Sequence, residues 1–421
     1  MTNNYNNKFP INTATACQSK WTWSTIWLNS GTSSSCHRVK AHPLDPNNFG
    51  NFHNLPQKIE DREAMLRGEW PAAGRGCEYC KNIEDAGGWS DRQHNNELGG
   101  YNPPELKDNP LATHVTPRIV EIFAQNTCNL SCIYCHENLS SKIETENKLF
   151  GPIETVIGGR YKKSKNSLFR EQYFIDFLSW LEDNIQNLGR LHLLGGETFI
   201  QHRLIQSVFE IIERKPNPSL QLNIFSNFNA PEKHFYSYMD RIKDYAAAKN
   251  IGRFDLTCSI DCWGPQQKYV RSGLNLEKLE EYFEYAALQD ESWLWLNVNQ
   301  TISCMTIKTM PQLIEKINKY SVHRHIGHYF QFVDGMPHQH PQIYNYSMWE
   351  DDFTNILSTM QSNQQRRAEA INRMIGHRQM LQANCKQDNI KITYLHKYLD
   401  ELDRRRGTNW RELFYYLEIK V

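Results

Sequence analysis

Between residues 116 and 340, six short apolar runs alternate with helical patterns, and this alternation narrows the fold more than any other feature of the chain. The runs are RIVEIFAQN (118–126), RLHLLGG (190–196), LQLNIFSN (220–227), RFDLTCSID (253–261), LWLNVNQTIS (294–303) and HYFQFVD (328–334). Amphipathic stretches such as REQYFIDFLSWLEDNIQNL (170–188) and NLEKLEEYFEYAALQ (275–289) lie between them. Parallel neighbours need a long crossover, so repeated strand–helix units imply a parallel sheet. Six units predict a partial (β/α)6 TIM-like barrel rather than a full eight-stranded one. The expected class is therefore α/β, with the barrel over 116–340. Residues 1–115 are rich in Gly, Asn, Pro and Trp and have few periodic apolar runs. Such an irregular zone is expected to need a staple. Residues 341–421 read as a helical C-terminal segment, with QQRRAEAINRMIGHRQML as a solvated helix.

A chain of 421 residues can bury a large core. Its 47 basic and 47 acidic residues speak against a generic polyanion binder, so nucleic acid is a disfavoured partner. No apolar run is long enough to span a membrane. The start MTNNYNNKFPINTATACQ lacks the apolar centre of a signal peptide, and a cytoplasmic location is expected. Eleven cysteines in a reducing compartment point to metal or redox chemistry more than to disulfides.

Residues 128–135 read CNLSCIYC, so Cys128, Cys132 and Cys135 fall in eight residues with no fourth cysteine following. Structural zinc sites close their shell with four ligands. Three close thiolates suit a four-iron cube with one iron open to a small molecule. A zinc site completed by His136 is the alternative, but a histidine adjacent to the last cysteine reaches back poorly. The loop follows the first strand, and in parallel barrels the C-terminal strand ends carry the active site.

This C-x3-C-x2-C loop, with aromatic Tyr134 before the last cysteine, resembles the signature of radical S-adenosylmethionine (radical SAM) enzymes. The family's second strand ends in Gly-Gly-Glu, and LHLLGGETF supplies Gly195, Gly196 and Glu197, with Thr198 where relatives usually have Pro. The resemblance implies that these residues contact the amino group of the cofactor's methionine part. The glycines would let backbone approach the ligand and the carboxylate would accept from an ammonium. FSNFN offers Ser226 and Asn227 for the ribose and carboxylate, and SIDCWGPQQKYVRSG offers Ser259, Asp261 and Arg271. Arg271 would pair with the cofactor carboxylate as a fork. The implied chemistry is reductive cleavage of S-adenosylmethionine to a 5′-deoxyadenosyl radical that takes a hydrogen atom from substrate, with a reductant such as flavodoxin or ferredoxin supplying the electron.

Four more cysteines stand upstream. Cys17 and Cys36 have the form C-x13-G-x4-C around Gly31, and Cys77 and Cys80 form C-x2-C. This resembles the auxiliary-cluster module called twitch, a short relative of SPASM, here placed before the barrel. The stretches EAMLRGEWPAAGRGCEYC and LDRRRGTNWRELF also look like a subgroup of twitch-domain radical SAM proteins. Spacing alone leaves a four-cysteine zinc site and a second four-iron cube equally open; beside a radical SAM core, the resemblance implies two [4Fe-4S] clusters. Relatives with auxiliary clusters often modify peptides, so a peptide or protein side chain is the first substrate expectation. A small molecule, nucleoside or RNA base is the second. A non-enzymatic zinc protein that binds a partner is the third. Of the remaining cysteines, Cys258 and Cys304 read as core, and Cys385 carries no role. Cys262, at a strand end, is the best placed to return a hydrogen atom to a substrate radical. The histidines of HRHIGH (323–328) and HQH (338–340) read as solvated.

Overall fold

The computed structural model describes residues 9–153 and 170–418, so the first eight residues of the polar stretch expected at the N-terminus fall outside the described residues. The strands, in chain order, are β1 (Trp23–Trp27), β2 (Thr32–Ser34), β3 (His42–Pro43), β4 (Ile119–Phe123), β5 (Ser131–Cys132), β6 (Arg190–Leu194), β7 (Asn217–Ser226), β8 (Ile251–Ser259), β9 (Arg271–Ser272), β10 (Leu294–Ile302) and β11 (Ile326–Phe332). Nine of them form one sheet in the order β11-β10-β8-β7-β6-β4-β1-β2-β3, and β5 and β9 make a separate ribbon. From β11 to β1 every pairing is parallel. Only β2 and β3 run antiparallel. The fold is thus mixed α/β with a large, mostly parallel sheet, and all six expected strands lie in it within a few residues of their expected ends.

Each strand pair among these six is bridged by a helix, as parallel pairing demands. Examples are Glu232–Ala247 before β8 and Leu276–Ala287 before β10. The alternation in LWLNVNQTI shows how the sheet is used. Leu294, Leu296, Val298 and Ile302 are buried on one face, while Asn297, Asn299 and Thr301 point to the other. The buried face packs with Leu222, Ile224, Leu256 and Cys258 against helices in the main core, so Cys258 is a core residue as expected.

The N-terminal zone corrects one expectation. It does not stand apart, because β1 continues the parallel sheet beside β4, from Trp23 opposite Ile119 to Trp27 opposite Phe123. Five residues between tryptophans carry no repeating pattern, so this strand has no signal of its own in sequence. Ile26, Leu28, Leu44, Phe49 and Phe52 join the main core, and a small separate core gathers around Phe9, Trp21, Met65 and Leu106. Two buried cations add ties. Lys58 Nζ donates to Ser24 Oγ, Ser33 Oγ, Ser34 O and Phe52 O. Arg62 donates through Nε to Lys20 O, through Nη1 to Asn54 Oδ1 and Thr113 O, and through Nη2 to His53 O. Each buried donor group thereby has an acceptor, which is the condition for burying a charge at tolerable cost.

The C-terminal segment is helical, with Glu350–Gln361, Gln364–Asn384 and Asn389–Arg406 as its main helices. The run expected to be solvated is only half so: Ala370, Ile371, Met374 and Leu381 are buried in a second core with Trp349, Leu395 and Trp410. Cys304 is buried in the same core. The histidine runs are likewise not simply solvated, because His328 and His338 are buried. Among the described residues, no helix is long and apolar enough to cross a membrane.

Candidate functional site

The three-cysteine loop begins where β4 ends, and short polar ties fix its path. Ser140 Oγ donates to Leu130 O at 2.8 Å, the Cys128 amide donates to Ser141 Oγ at 3.0 Å, and Asn126 Nδ2 donates to Glu137 O at 2.8 Å. Cys132 lies in the β5–β9 ribbon opposite Arg271. The ribbon continues where Ile133 N donates to Val270 O at 2.9 Å. The Ile133 carbonyl accepts from Gln339 Nε2 at 3.0 Å and from the Tyr398 hydroxyl. The loop is therefore held by the segment after β8 on one side and by the helix Asn389–Arg406 on the other.

Cys128, Cys132 and Cys135 line a cavity of about 360 Å³. Tyr134, Gly195, Gly196, Glu197, Ser226, Asn227, Ser259 and Arg271 line the same cavity. Residues far apart in sequence thus converge on one space at the C-terminal ends of β4, β6, β7 and β8. Sequence reasoning missed Asn299 and Thr301, which also line it. Their signal was present, since both are polar positions of the alternating β10 run.

The Gly-Gly-Glu end of β6 lines the cavity and also packs closely on the cysteine loop. A Cβ on Gly196 would stand 2.3 Å from Thr127 O, and one on Gly195, whose φ is +144°, would stand 2.5 Å from Gln125 O. The glycines let the strand end approach the chain's own cysteine loop, and the Gly196 and Glu197 amides donate to Gln125 O and Thr127 O. The Glu197 carboxylate is buried and turned inward. It accepts from Ser226 Oγ at 2.8 Å, from the Asn227 amide at 2.6 Å and from the Phe199 amide at 3.1 Å. Burial nonetheless pushes its pKa up to about 7. Ser226 and Asn227 are therefore tied to Glu197. Asn227 also reaches the cysteine loop, donating from Nδ2 to Asn129 Oδ1 at 2.9 Å.

Asp261 is fully buried and is the hub of the opposite wall. It accepts from Arg271 Nε at 2.8 Å and Nη2 at 3.0 Å, from Tyr134 Oη at 2.6 Å and from the Thr301 amide at 2.9 Å. The fork of Arg271 is thus occupied by Asp261 rather than held free for a ligand carboxylate. Its remaining Nη1 is 4.0 Å from Cys132 Sγ. Cys262 is placed away from the cavity. It is fully buried, with its thiol 3.6 Å from Gln267 Oε1, which argues against contact with a substrate radical.

The thiols of the loop are held protonated. Burial, then the neighbouring Cys132, pushes Cys128 up to about 12, and burial with both neighbours pushes Cys135 higher still. Such thiols are poor nucleophiles but become thiolate ligands when a metal supplies positive charge.

The second cysteine set is also brought together. Burial, then Cys36 and more weakly Cys77, pushes Cys17 up to about 12. Cys36 in turn feels Cys80. Cys77 caps the helix Glu78–Asp85, and Cys80 lies in its first turn. Lys20 lies buried among them and pairs with Asp61 at 2.6 Å. Burial opposes its charge, yet Cys77 and Asp61 hold its pKa above the usual lysine value. Gly31 sits at φ +63° in the turn between β1 and β2.

Among the described residues, no group of three or more His, Cys, Asp or Glu is gathered closely enough to hold a single metal ion. No known family model matches this chain, and no curated protein matches it.

Proposed function

We propose that this chain is a radical SAM enzyme with two [4Fe-4S] clusters. The observation that carries the reading is the meeting of Cys128, Cys132 and Cys135 with Gly195, Gly196, Ser259 and Arg271 around one cavity of about 360 Å³. Three thiolates would hold the first cluster and leave one iron for S-adenosylmethionine. When bound, that pair supplies one-electron chemistry that ends in removal of a hydrogen atom from a substrate.

The chain's own residues would do the rest. Burial pushes the Cys132 pKa up, and the buried positive charge of Arg271 beside it opposes that shift. Asp261 holds Arg271 and Tyr134 in place. Glu197 locks the ends of β6 and β7 together beside the cavity. Ser259, Asn299 and Thr301 offer polar contacts on the far wall. The parallel run β4, β6, β7, β8, β10, β11 supports a partial (β/α)6 barrel, because these strands follow one another in both chain and sheet. Cys17, Cys36, Cys77 and Cys80 would close the second cluster in a twitch-like module, with Lys20 as the compensating charge. The substrate is a peptide or protein side chain, or else a small molecule, and the electron comes from a flavodoxin or ferredoxin.

The test is iron, sulfide and zinc content after anaerobic reconstitution, together with 5′-deoxyadenosine release under strong reductant. The expected result is about eight irons per chain, falling to about four in the Cys128→Ala/Cys132→Ala/Cys135→Ala variant, with release lost. Zinc with little iron in both proteins would overturn the reading and leave a zinc-binding interaction protein.

A further inference from the structure

A second, smaller cavity of about 60 Å³ lies between β11 and the helix Gln364–Asn384, remote from the cysteine loop in sequence. Arg367 lines it and is 4% exposed. Its Nη1 donates to Asn318 Oδ1 at 2.8 Å and its Nη2 donates to His328 Nδ1. Its Nε is buried with no hydrogen-bond partner. No carboxylate among the described residues pairs with it. Burial alone pushes its pKa down to about 10.

His328 cannot take the role of counter-ion. Burial, then Arg367, pushes its pKa well below the usual histidine value, so it is neutral. Its Nδ1 accepts from Arg367, which leaves the proton on Nε2 to donate to Gln300 Oε1 at 2.9 Å. Gln300 Nε2 then donates to Asp261 O at 2.6 Å. Every bond in this chain runs the same way, and none brings negative charge to the guanidinium.

Arg62 shows what a self-sufficient buried arginine looks like in this protein. It is equally buried and has an acceptor on Nε, Nη1 and Nη2. Arg367 differs on two counts, an unmatched Nε and an adjoining cavity. A buried, unpaired charge is costly, and the cost disappears when an anion fills the space. The rim adds a second cation, Arg373, which stands over the Tyr329 ring and pairs with Glu369 at 2.6 Å. His325 and the Glu369 carboxylate, which is paired with Arg373, also line it. The volume holds about two waters, which matches one small oxyanion.

We propose that this cavity binds a phosphate-class oxyanion, held through the free Nε edge of Arg367 at its base and by Arg373 at its rim. Guanidinium suits such an anion because its planar donors match the oxyanion edge. The exposed Arg373 and Glu369 leave the rim open, so the anion is either free phosphate or the head of a phosphate monoester.

The test is thermal unfolding and calorimetric titration of the full chain with inorganic phosphate, against chloride at equal ionic strength. The expected result is saturable binding and an unfolding midpoint that rises with the logarithm of phosphate concentration. Arg367→Met should abolish both, and without phosphate it should be at least as stable as the parent, because a buried unpaired charge is gone. If that variant fails to fold, Arg373→Gln at the exposed rim still decides the matter. It should weaken phosphate on the order of tenfold, the loss of one charge-assisted hydrogen bond. Glycerol phosphate that competes with phosphate supports the site with an open rim, and its exclusion supports a site for the free ion. Absence of a phosphate-dependent rise in the parent overturns the proposal, as does binding that Arg373→Gln leaves unchanged.

Discussion

The two cysteine regions solve the same electrostatic problem in different surroundings. In each, burial keeps thiols protonated, and in each a buried cation with a carboxylate partner stands beside them: Arg271 with Asp261, and Lys20 with Asp61. The difference lies in what else faces the sulfurs. The three-cysteine loop opens on a cavity walled by four strand ends, whereas Cys17 and Cys77 pack against a small apolar core. Under the proposed function, the first set would admit a guest and the second would tie chain segments together, so the same ligand chemistry would serve a reactive site beside a cavity and a staple beside a core.

That comparison is sharpest if the two sets are removed separately. Cys77→Ala/Cys80→Ala should lower the unfolding midpoint of the reconstituted protein by about 10 °C, because the N-terminal zone loses its tie. The triple variant of Cys128, Cys132 and Cys135 should lower it far less while losing all cleavage of S-adenosylmethionine. Scanning calorimetry on both variants decides this, and a reversed order would break the division into guest site and staple.

The carboxylates give the next largest contrast. Asp261→Asn strips charge from a hub that serves Arg271, Tyr134 and the Thr301 amide, and should cost about 3–5 kcal/mol. Asp61→Asn should cost less, about 1–3 kcal/mol, because Lys20 keeps its thiolate neighbours when the second set is metallated. Urea titrations measure both, and equal losses would remove the distinction.

The smallest effect probes the seam where β1 joins the two regions. His192 lies on β6, beside Trp23 of β1 at 5.5 Å between ring centroids; neither ring nitrogen is hydrogen-bonded, and Nδ1 stands 3.9 Å from Glu121 Oε1. Burial pushes its pKa down to about 3. The unfolded chain takes up this proton near pH 6.5 and the folded chain refuses it, so stability falls as pH drops below about 6.5. By pH 5 the loss from this residue is about 2 kcal/mol. His192→Asn should flatten the pH dependence of stability by that amount between pH 7 and 5, as read by denaturant titration at each pH. An unchanged slope would show that the seam stays wet.

Much of this was legible in sequence because strands announce themselves by alternation. The six main strands and the cysteine loop at the end of β4 follow from local patterns along the chain, while Gly195, Ser226 and Ser259 were singled out by the family resemblance and line one cavity. What escaped depends on partners that no local pattern names. The strand β1 reads as an ordinary stretch until β4 is beside it. The Gly195–Gly196 pair could be seen as a close approach, but its approach to Thr127 and Gln125 of the cysteine loop could not be read locally. Arg271 was recognisable as a polar strand-end residue, while its capture by Asp261 required the ribbon between β5 and β9. Cys262 looked well placed because it follows Asp261, and one residue was enough to turn it away from the cavity. Arg367 sat in a run that resembled a solvated face, and only the packing of its helix on β11 buries it.

The parallel seat of β1 also has a consequence in time. Trp23 precedes its sheet neighbour Ile119 in the chain and is therefore made well before it. Until then the strand has only the antiparallel β2 for company, and a two-stranded pair is marginal on its own. The beginning of this chain therefore cannot finish folding as it leaves the ribosome, and its exposed edge must wait for the middle of the chain to arrive.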